Sequence, residues 1–208
     1  MNMRAPTIYV NIFSWEAATQ FPIATQTARG GANAMGLGKT VMTIALILAR
    51  QGREYIKKKK KESDLKPFRK VKGSTLIICP MALLGQRKDE LETHSKPDSI
   101  SVSVFFGGDR SSDPRVIAEP NVILTTYSVL TAASYKNEKL AISIFLIDWY
   151  RVVLDEAHTI KSSKTLGAQA AFKLSSYCMW CLTGTPLQNK LEDLYNLLCF
   201  LHVEPWCN

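Results

Sequence analysis

Ala34-Met35-Gly36-Leu37-Gly38-Lys39-Thr40 is a glycine-flanked turn that ends in Lys-Thr and opens directly into the apolar run Val41-Met42-Thr43-Ile44-Ala45-Leu46-Ile47-Leu48. Gly36 and Gly38 let the backbone turn tightly with its N–H groups aimed inward, and helix N-terminal amides add to that anion site. In such a loop Lys39 reaches the β- and γ-phosphates of ATP, and the Thr40 hydroxyl ligates Mg²⁺. The strict nucleotide-binding spacing, G-x-x-x-x-G-K-[ST], fails by one residue, because Asn33 holds the first glycine position. A helix-opening loop with a surface lysine is the alternative reading.

Val152-Val153-Leu154-Asp155-Glu156 is an apolar strand delivering two acids to its end. Burying adjacent carboxylates is costly unless a cation or a reaction uses them. A Mg·ATP site uses both: Asp155 holds the Mg²⁺ through its water shell, and Glu156 orients and deprotonates the attacking water. An exposed turn is the alternative. His158 follows, and Thr183-Gly184-Thr185 ends the next strand. These groups are suited to sense the nucleotide state, although a lone histidine near a strand end is ordinarily structural.

These residues need a scaffold of buried strands. A phosphate-binding loop sits at the carboxyl end of such a strand, yet only Gly30-Gly31-Ala32-Asn33 precedes it, so a short, weak strand is expected. The helix from Lys39 to about Arg50 is apolar on nearly all sides, the pattern of a helix buried against a sheet. Thr75–Cys79, Ile100–Phe106, Asn121–Tyr127, Trp149–Leu154 and Tyr177–Leu182 read as strands. Helices are expected over Met81–Thr93, from Ser128, and over Leu191–Leu201. The alternation predicts an α/β fold with a mainly parallel sheet flanked by helices. Its polar motifs fall at strand carboxyl ends, where such sheets bind ligands. Residues 1–28 form an amino-terminal extension, in which Ile8–Phe13 suggests a small hairpin or edge strand.

The chain carries a net charge of +8. Between Arg50 and Lys72 stand eleven Lys/Arg and three acids, and the rest of the chain is balanced. This basic insertion, about 51–73, reads as a solvated, disordered loop; phosphate-backbone contact and a nuclear-import signal are functional readings of the same composition. No apolar run approaches the roughly 18 residues of a membrane span, and the amino terminus lacks a signal-peptide pattern. Five scattered cysteines read as reduced and intracellular, and Cys178-Met179-Trp180-Cys181 as buried thiols, with a zinc or redox pair as the alternative.

Several of these runs together carry a resemblance. Met35–Thr40, Ile78-Cys79-Pro80, Leu124-Thr125-Thr126-Tyr127, Asp155-Glu156-Ala157-His158 and Leu182-Thr183-Gly184-Thr185-Pro186-Leu187-Gln188-Asn189 resemble successive motifs of the Swi/Snf-type ATPases of helicase superfamily two. The contexts Arg151–Ser162 and Leu201–Trp206 are similar to the helicase-like transcription factor branch, which acts in DNA-damage tolerance and chromatin. The resemblance covers about residues 29–208. It implies a RecA-like first lobe, a DEAH-type acid box, ATP and Mg²⁺ as cofactors, a nuclear location, and DNA translocation driven by hydrolysis. DNA would be held by its backbone without sequence preference, with contacts from Pro80 to Lys88 and from Thr125 and Thr126. Arg87 stands where the family has a tryptophan. The second lobe, which would supply an arginine finger worth on the order of 10³–10⁵ in rate, lies outside these 208 residues. The expectation is therefore a lobe that binds ATP and hydrolyses it barely, or a non-catalytic nucleic-acid-binding module derived from the same fold. A P-loop kinase is disfavoured, because the downstream motifs do not fit one.

Overall fold

The computed structural model describes residues 9–10, 17–18, 30–34, 38–49, 71–108, 111–135, 143–160, 162–184 and 191–203. Strands β1 (Tyr9–Val10) and β2 (Ala17–Ala18) form a separate antiparallel pair, the small hairpin read from the amino-terminal stretch. The main sheet contains β3 (Gly31–Ala34), β4 (Val71–Cys79), β5 (Val102–Val104), β6 (Val122–Thr126), β7 (Ile147–Asp155) and β8 (Ser176–Thr183). Its order is β3-β8-β7-β4-β6-β5, and every pairing is parallel. This is the α/β architecture expected from the alternation of apolar runs. β4 begins at Val71, inside the stretch that charge alone groups with the basic insertion; residues 50–70 of that insertion lie outside the described residues.

The central strands are apolar on both faces because both are covered, as parallel sheets require. Helices α1 (Lys39–Ala49) and α2 (Leu84–Thr93) cover one face. There Ile44, Ile47, Leu84 and Leu91 pack on Ile77, Cys79, Leu124, Val153 and Leu182. The short α3 (Pro114–Ile117), then α4 (Tyr127–Tyr135), α5 (Leu166–Phe172) and α6 (Leu191–Phe200) lie on the other. Their Ile117, Leu130, Ala170 and Phe200 join a core with Leu76, Ile78, Ile123, Trp149, Leu154 and Cys181. Ile77 against Ile78, and Val153 against Leu154, show the two-residue strand period dividing one strand between two cores.

The helix α1 is less buried than its composition implies. Thr43, Ile44 and Ile47 face the sheet, whereas Val41 and Met42 are 52% and 59% exposed. An all-apolar helix still turns only one stripe towards a single sheet. A buried arginine anchors its carboxyl end: Arg151 of β7 donates from Nη1 to Thr75 Oγ1 (3.2 Å) and from Nη2 to the Leu46 carbonyl (3.4 Å). A cation near the last turn satisfies helix carbonyls and complements the dipole, and α1 has no basic residue of its own there. Cys178 is half-buried and Cys181 buried. Three apart on β8, they point to opposite faces.

The strand before the Gly-Lys-Thr turn exists without any aliphatic run. β3 pairs with β8 in the register Gly31↔Trp180 to Ala34↔Thr183. Glycine allows this edge to lie close: a Cβ on Gly30 would stand 1.7 Å from the Met179 carbonyl oxygen. We predict that Gly30→Ala lowers the melting temperature by an equivalent of about 1–3 kcal/mol, because the clash is with backbone. Gly85→Ala in α2, where a Cβ meets nothing within 4 Å, should raise it by up to about 1 kcal/mol. Circular-dichroism melts of the two variants check both signs; an unchanged melt for Gly30→Ala would contradict the close approach.

Candidate nucleotide site

Three separated segments bring their polar side chains together where β3, β7 and β4 end. Gly38 closes the first segment with φ +112°, a conformation open to glycine. Its carbonyl accepts from Met42 N–H at 2.9 Å, so the turn passes straight into α1. That geometry sets Lys39 and Thr40 in the first turn of the helix. Met35, Gly36 and Leu37 lie outside the described residues, as does Thr185; Ala34 is the last residue of β3.

The second segment is the end of β7. Asp155 is 1% exposed, and its Oδ1 accepts the Glu156 N–H at 3.0 Å. Glu156 itself has φ +47°, the left-handed region, and its carbonyl accepts from Thr159 N–H and Oγ1 at 2.9 and 2.8 Å. A non-glycine residue held there costs roughly 1–3 kcal/mol, and such strain gathers at functional sites. It turns the Glu156 carboxylate out of line with the strand and towards α1. Lys39 Nζ donates to Glu156 Oε1 at 3.2 Å. His158 Nδ1 lies 3.2 Å from Glu156 Oε2, close enough for an ion pair when protonated but not aligned as a hydrogen bond.

The third segment is α2, and its contribution is not apparent from motif spacing. Arg87 Nε donates to Asp155 Oδ2 at 2.5 Å, and its Nη1 donates to Thr40 Oγ1 at 2.8 Å and to Glu90 Oε2 at 2.7 Å. Thr40 Oγ1 donates in turn to Glu90 Oε2 at 2.7 Å, and Gln86 Nε2 to Glu90 Oε1 at 2.7 Å. Burial works against the Arg87 charge, but the bonds to Asp155 and Glu90 outweigh it and hold its pKa above the usual value. Burial likewise opposes the Glu90 charge, and the donors Thr40, Arg87 and Gln86 win, holding its carboxyl below the usual range. The sequence signal for this network was Arg87 in place of an aromatic residue, three positions before an acid on one helix face.

Two neighbours frame the acids. Tyr127 Oη donates to the Asp155 carbonyl at 2.9 Å. Burial pushes its phenol well above the usual range, so it stays a donor. Burial, helped by the Asp155 charge, pushes the Cys79 thiol up to about 11, so no thiolate competes for the cations. Thr183 is buried at the end of β8 beside β3, and Gly184 follows it.

The four candidate DNA contacts divide. Lys88 is half-buried on α2, with 44% of its side chain exposed, and pairs loosely with Glu92 at 3.8 Å. Pro80 is half-buried at the end of β4, where its carbonyl accepts from Leu83 N–H at 3.0 Å. Thr125 and Thr126 are buried with their hydroxyls engaged. Thr125 donates to the Phe105 carbonyl at 3.0 Å, while Thr126 bonds Ser128 Oγ at 2.8 Å and accepts from Val129 N–H at 3.3 Å. The segment after β5 occupies Thr125 and the start of α4 occupies Thr126, while Ser128 beside them is exposed.

Comparison with known proteins shows the family. A model of the SNF2-related domain matches residues 21–208. The chain is 66% identical over 222 residues to the DNA repair protein RAD5B of Arabidopsis thaliana, covering 99% of this chain and 17% of that protein. It is 43% identical to the DNA repair protein RAD5A of the same plant, covering 98% of this chain and 23% of that protein. To the DNA repair protein rad8 of Schizosaccharomyces pombe it is 35% identical over 96% of the chain and 18% of rad8. The chain thus spans about a fifth of the length of these relatives. Among solved structures, the Sulfolobus solfataricus SWI2/SNF2 ATPase core in complex with dsDNA superposes with a TM-score of 0.61 at 30% identity, over 85% of this chain and 32% of that one. With the matching model running from residue 21 to the last residue, this chain belongs to the SNF2-related family of helicase-like ATPases.

Proposed function

We propose that the chain is the ATP-binding first lobe, about residues 29–208, of a DNA-dependent Swi/Snf-type translocase acting in DNA repair in the nucleus. One observation carries the reading. Lys39, Thr40, Asp155 and Glu156, far apart in sequence, meet in one network of ion pairs and hydrogen bonds at the sheet's carboxyl end. The residues also fit a hard divalent cation. Thr40 Oγ1 and Asp155 Oδ2 converge on one cationic group, the Arg87 guanidinium, at 2.8 and 2.5 Å. A hydroxyl and a carboxylate are oxygen donors of the kind Mg²⁺ takes.

In this reading the first turn of α1 and Gly38 receive the phosphate tail, and Lys39 exchanges Glu156 for the β- and γ-phosphates. Thr40 and Asp155 would hold Mg²⁺, which would neutralise charge on the phosphate oxygens. Glu156, released from Lys39, orients and deprotonates the attacking water. His158 is close enough to Glu156 to register that release, and Thr183 and Gly184 lie at the next strand end to pass it on, with Thr185 following them in the sequence. DNA backbone contact falls to the exposed edge of α2, at Lys88, and to the segment from Pro80. The solved relative bound to dsDNA and the DNA repair relatives support that partner. Chromatin as the wider substrate rests on the family resemblance.

A second reading, a nucleic-acid-binding module without turnover, is favoured by Arg87, a cation already seated between Thr40 and Asp155. Titration calorimetry with a non-hydrolysable ATP analogue and Mg²⁺ distinguishes them. Wild type should bind; Lys39→Ala should lose at least about ten-fold in affinity, the scale of one charge-assisted hydrogen bond; and Glu156→Gln should bind nearly as wild type. Equal heats for wild type and Lys39→Ala would remove the phosphate role.

The basic insertion supplies the second test. Its point charges offer little base-reading geometry, so DNA affinity should fall with salt and ignore sequence. Deleting residues 51–70 should flatten the slope of log affinity against log salt, measured by fluorescence anisotropy. An unchanged slope would make the segment a bystander.

Turnover is expected to need closure from a second lobe, since positioning and electrostatic closure supply most phosphoryl-transfer catalysis. A phosphate-release assay on the 208-residue chain with DNA should read background. Robust DNA-stimulated release would overturn that expectation.

A further inference from the structure

Arg87 occupies the two lone pairs that a metal would use. Its side chain is 15% exposed and its guanidinium reaches three groups at once: Asp155 Oδ2, Thr40 Oγ1 and Glu90 Oε2. The direction of each hydrogen bond matters. Thr40 gives its hydroxyl proton to Glu90 and turns a lone pair towards Arg87. Asp155 gives one oxygen to the Glu156 N–H and the other to Arg87. The Thr40 lone pair and Asp155 Oδ2 are therefore both taken by the same cation.

A carboxylate buried as deeply as Asp155 is costly without a positive partner. Arg87 provides it with one Nε–H bond while Nη1 of the same planar guanidinium reaches Thr40 and Glu90, a spread of donors that a lysine ammonium lacks. Glu90, i+3 on the same helix, holds the other side of the guanidinium, and Gln86 holds Glu90. If Arg87 let go of Asp155 and Thr40, its charge would still be met by Glu90 without leaving α2.

We propose that Arg87 is a resident counter-cation of the nucleotide-free lobe: it stands in the metal position, competes with Mg²⁺ for Thr40 and Asp155, and makes metal loading conditional on its withdrawal onto Glu90. The inference rests on the nucleotide reading above and adds a competitor to it. Nucleotide binding then breaks two ion pairs, Lys39–Glu156 and Arg87–Asp155, and only the second should depend on Mg²⁺ concentration.

The test measures binding and stability of the whole chain. A non-hydrolysable ATP analogue is titrated at Mg²⁺ concentrations from micromolar to tens of millimolar, using wild type, Arg87→Gln and Arg87→Trp. The Mg²⁺ concentration giving half of maximal binding should be about ten-fold lower in both variants, the scale of one charge-assisted hydrogen bond. In thermal melts without nucleotide, Arg87→Gln should be destabilised, and Mg²⁺ alone should restore it more than it raises wild type. Should Arg87→Gln fail to fold, Arg87→Lys keeps the charge without the fork and should show an intermediate Mg²⁺ midpoint. Nucleotide binding with the same midpoint in every variant would overturn the competitor role and leave the nucleotide reading standing. No binding by any variant at any Mg²⁺ concentration would overturn the nucleotide reading and this inference with it.

Discussion

A carboxylate buried in the centre of an α/β sheet must be matched by positive charge, and much of this lobe is arranged around that need. Asp155 ends β7, covered on one face by α1 and α2 and on the other by α4, with 1% of its surface exposed. Arg87 answers one of its oxygens, the Glu156 amide the other, and Tyr127 fixes its backbone carbonyl. Glu156, next in the chain, is held in a left-handed turn and met by Lys39. Each acid thus has its own cation, drawn from a different element.

Sheet order turns this electrostatic arrangement into a site. β3, which precedes Gly38 and Lys39, is an edge strand beside β8, and β8 lies beside β7. Lys39 and Glu156, 117 residues apart, meet because two parallel pairings bring their strand ends level. The right-handed crossovers of such sheets place connecting helices on the faces and leave the carboxyl edge open for ligands. β4, on the other side of β7, ends at Cys79 and starts the segment from which α2 reaches back with Arg87.

Much of this was legible before the structure. The central strands announce themselves because burial on both faces demands uninterrupted apolar residues, as in Leu76-Ile77-Ile78 and Val152-Val153-Leu154. β3 showed only as a short, weak strand because it pairs through close backbone approach at Gly30 and room for the Trp180 ring at Gly31, which leave no hydrophobic signal. The short helix α5 was not anticipated, although Thr165 caps it by accepting from Ala168 N–H at 3.2 Å. The exposed side of α1 shows that composition cannot tell which stripe of an apolar helix meets the sheet. At the site, motif spacing pointed to the lysine and the acids but not to their partners. Arg87 and Glu90 act through tertiary proximity to Thr40 and Asp155, and motif spacing does not reveal that Thr125 is bonded to the Phe105 carbonyl and Thr126 to the start of α4.

The central claim is that the cluster of Lys39, Thr40, Asp155 and Glu156 is a nucleotide site whose charges are internally paired until ATP and Mg²⁺ arrive. A crystal structure of this chain with Mg²⁺ and a non-hydrolysable ATP analogue tests it directly. The account predicts phosphates at the first turn of α1, Lys39 moved from Glu156 onto them, and Arg87 withdrawn from Asp155 towards Glu90. Nucleotide bound elsewhere, with both ion pairs intact, would contradict it.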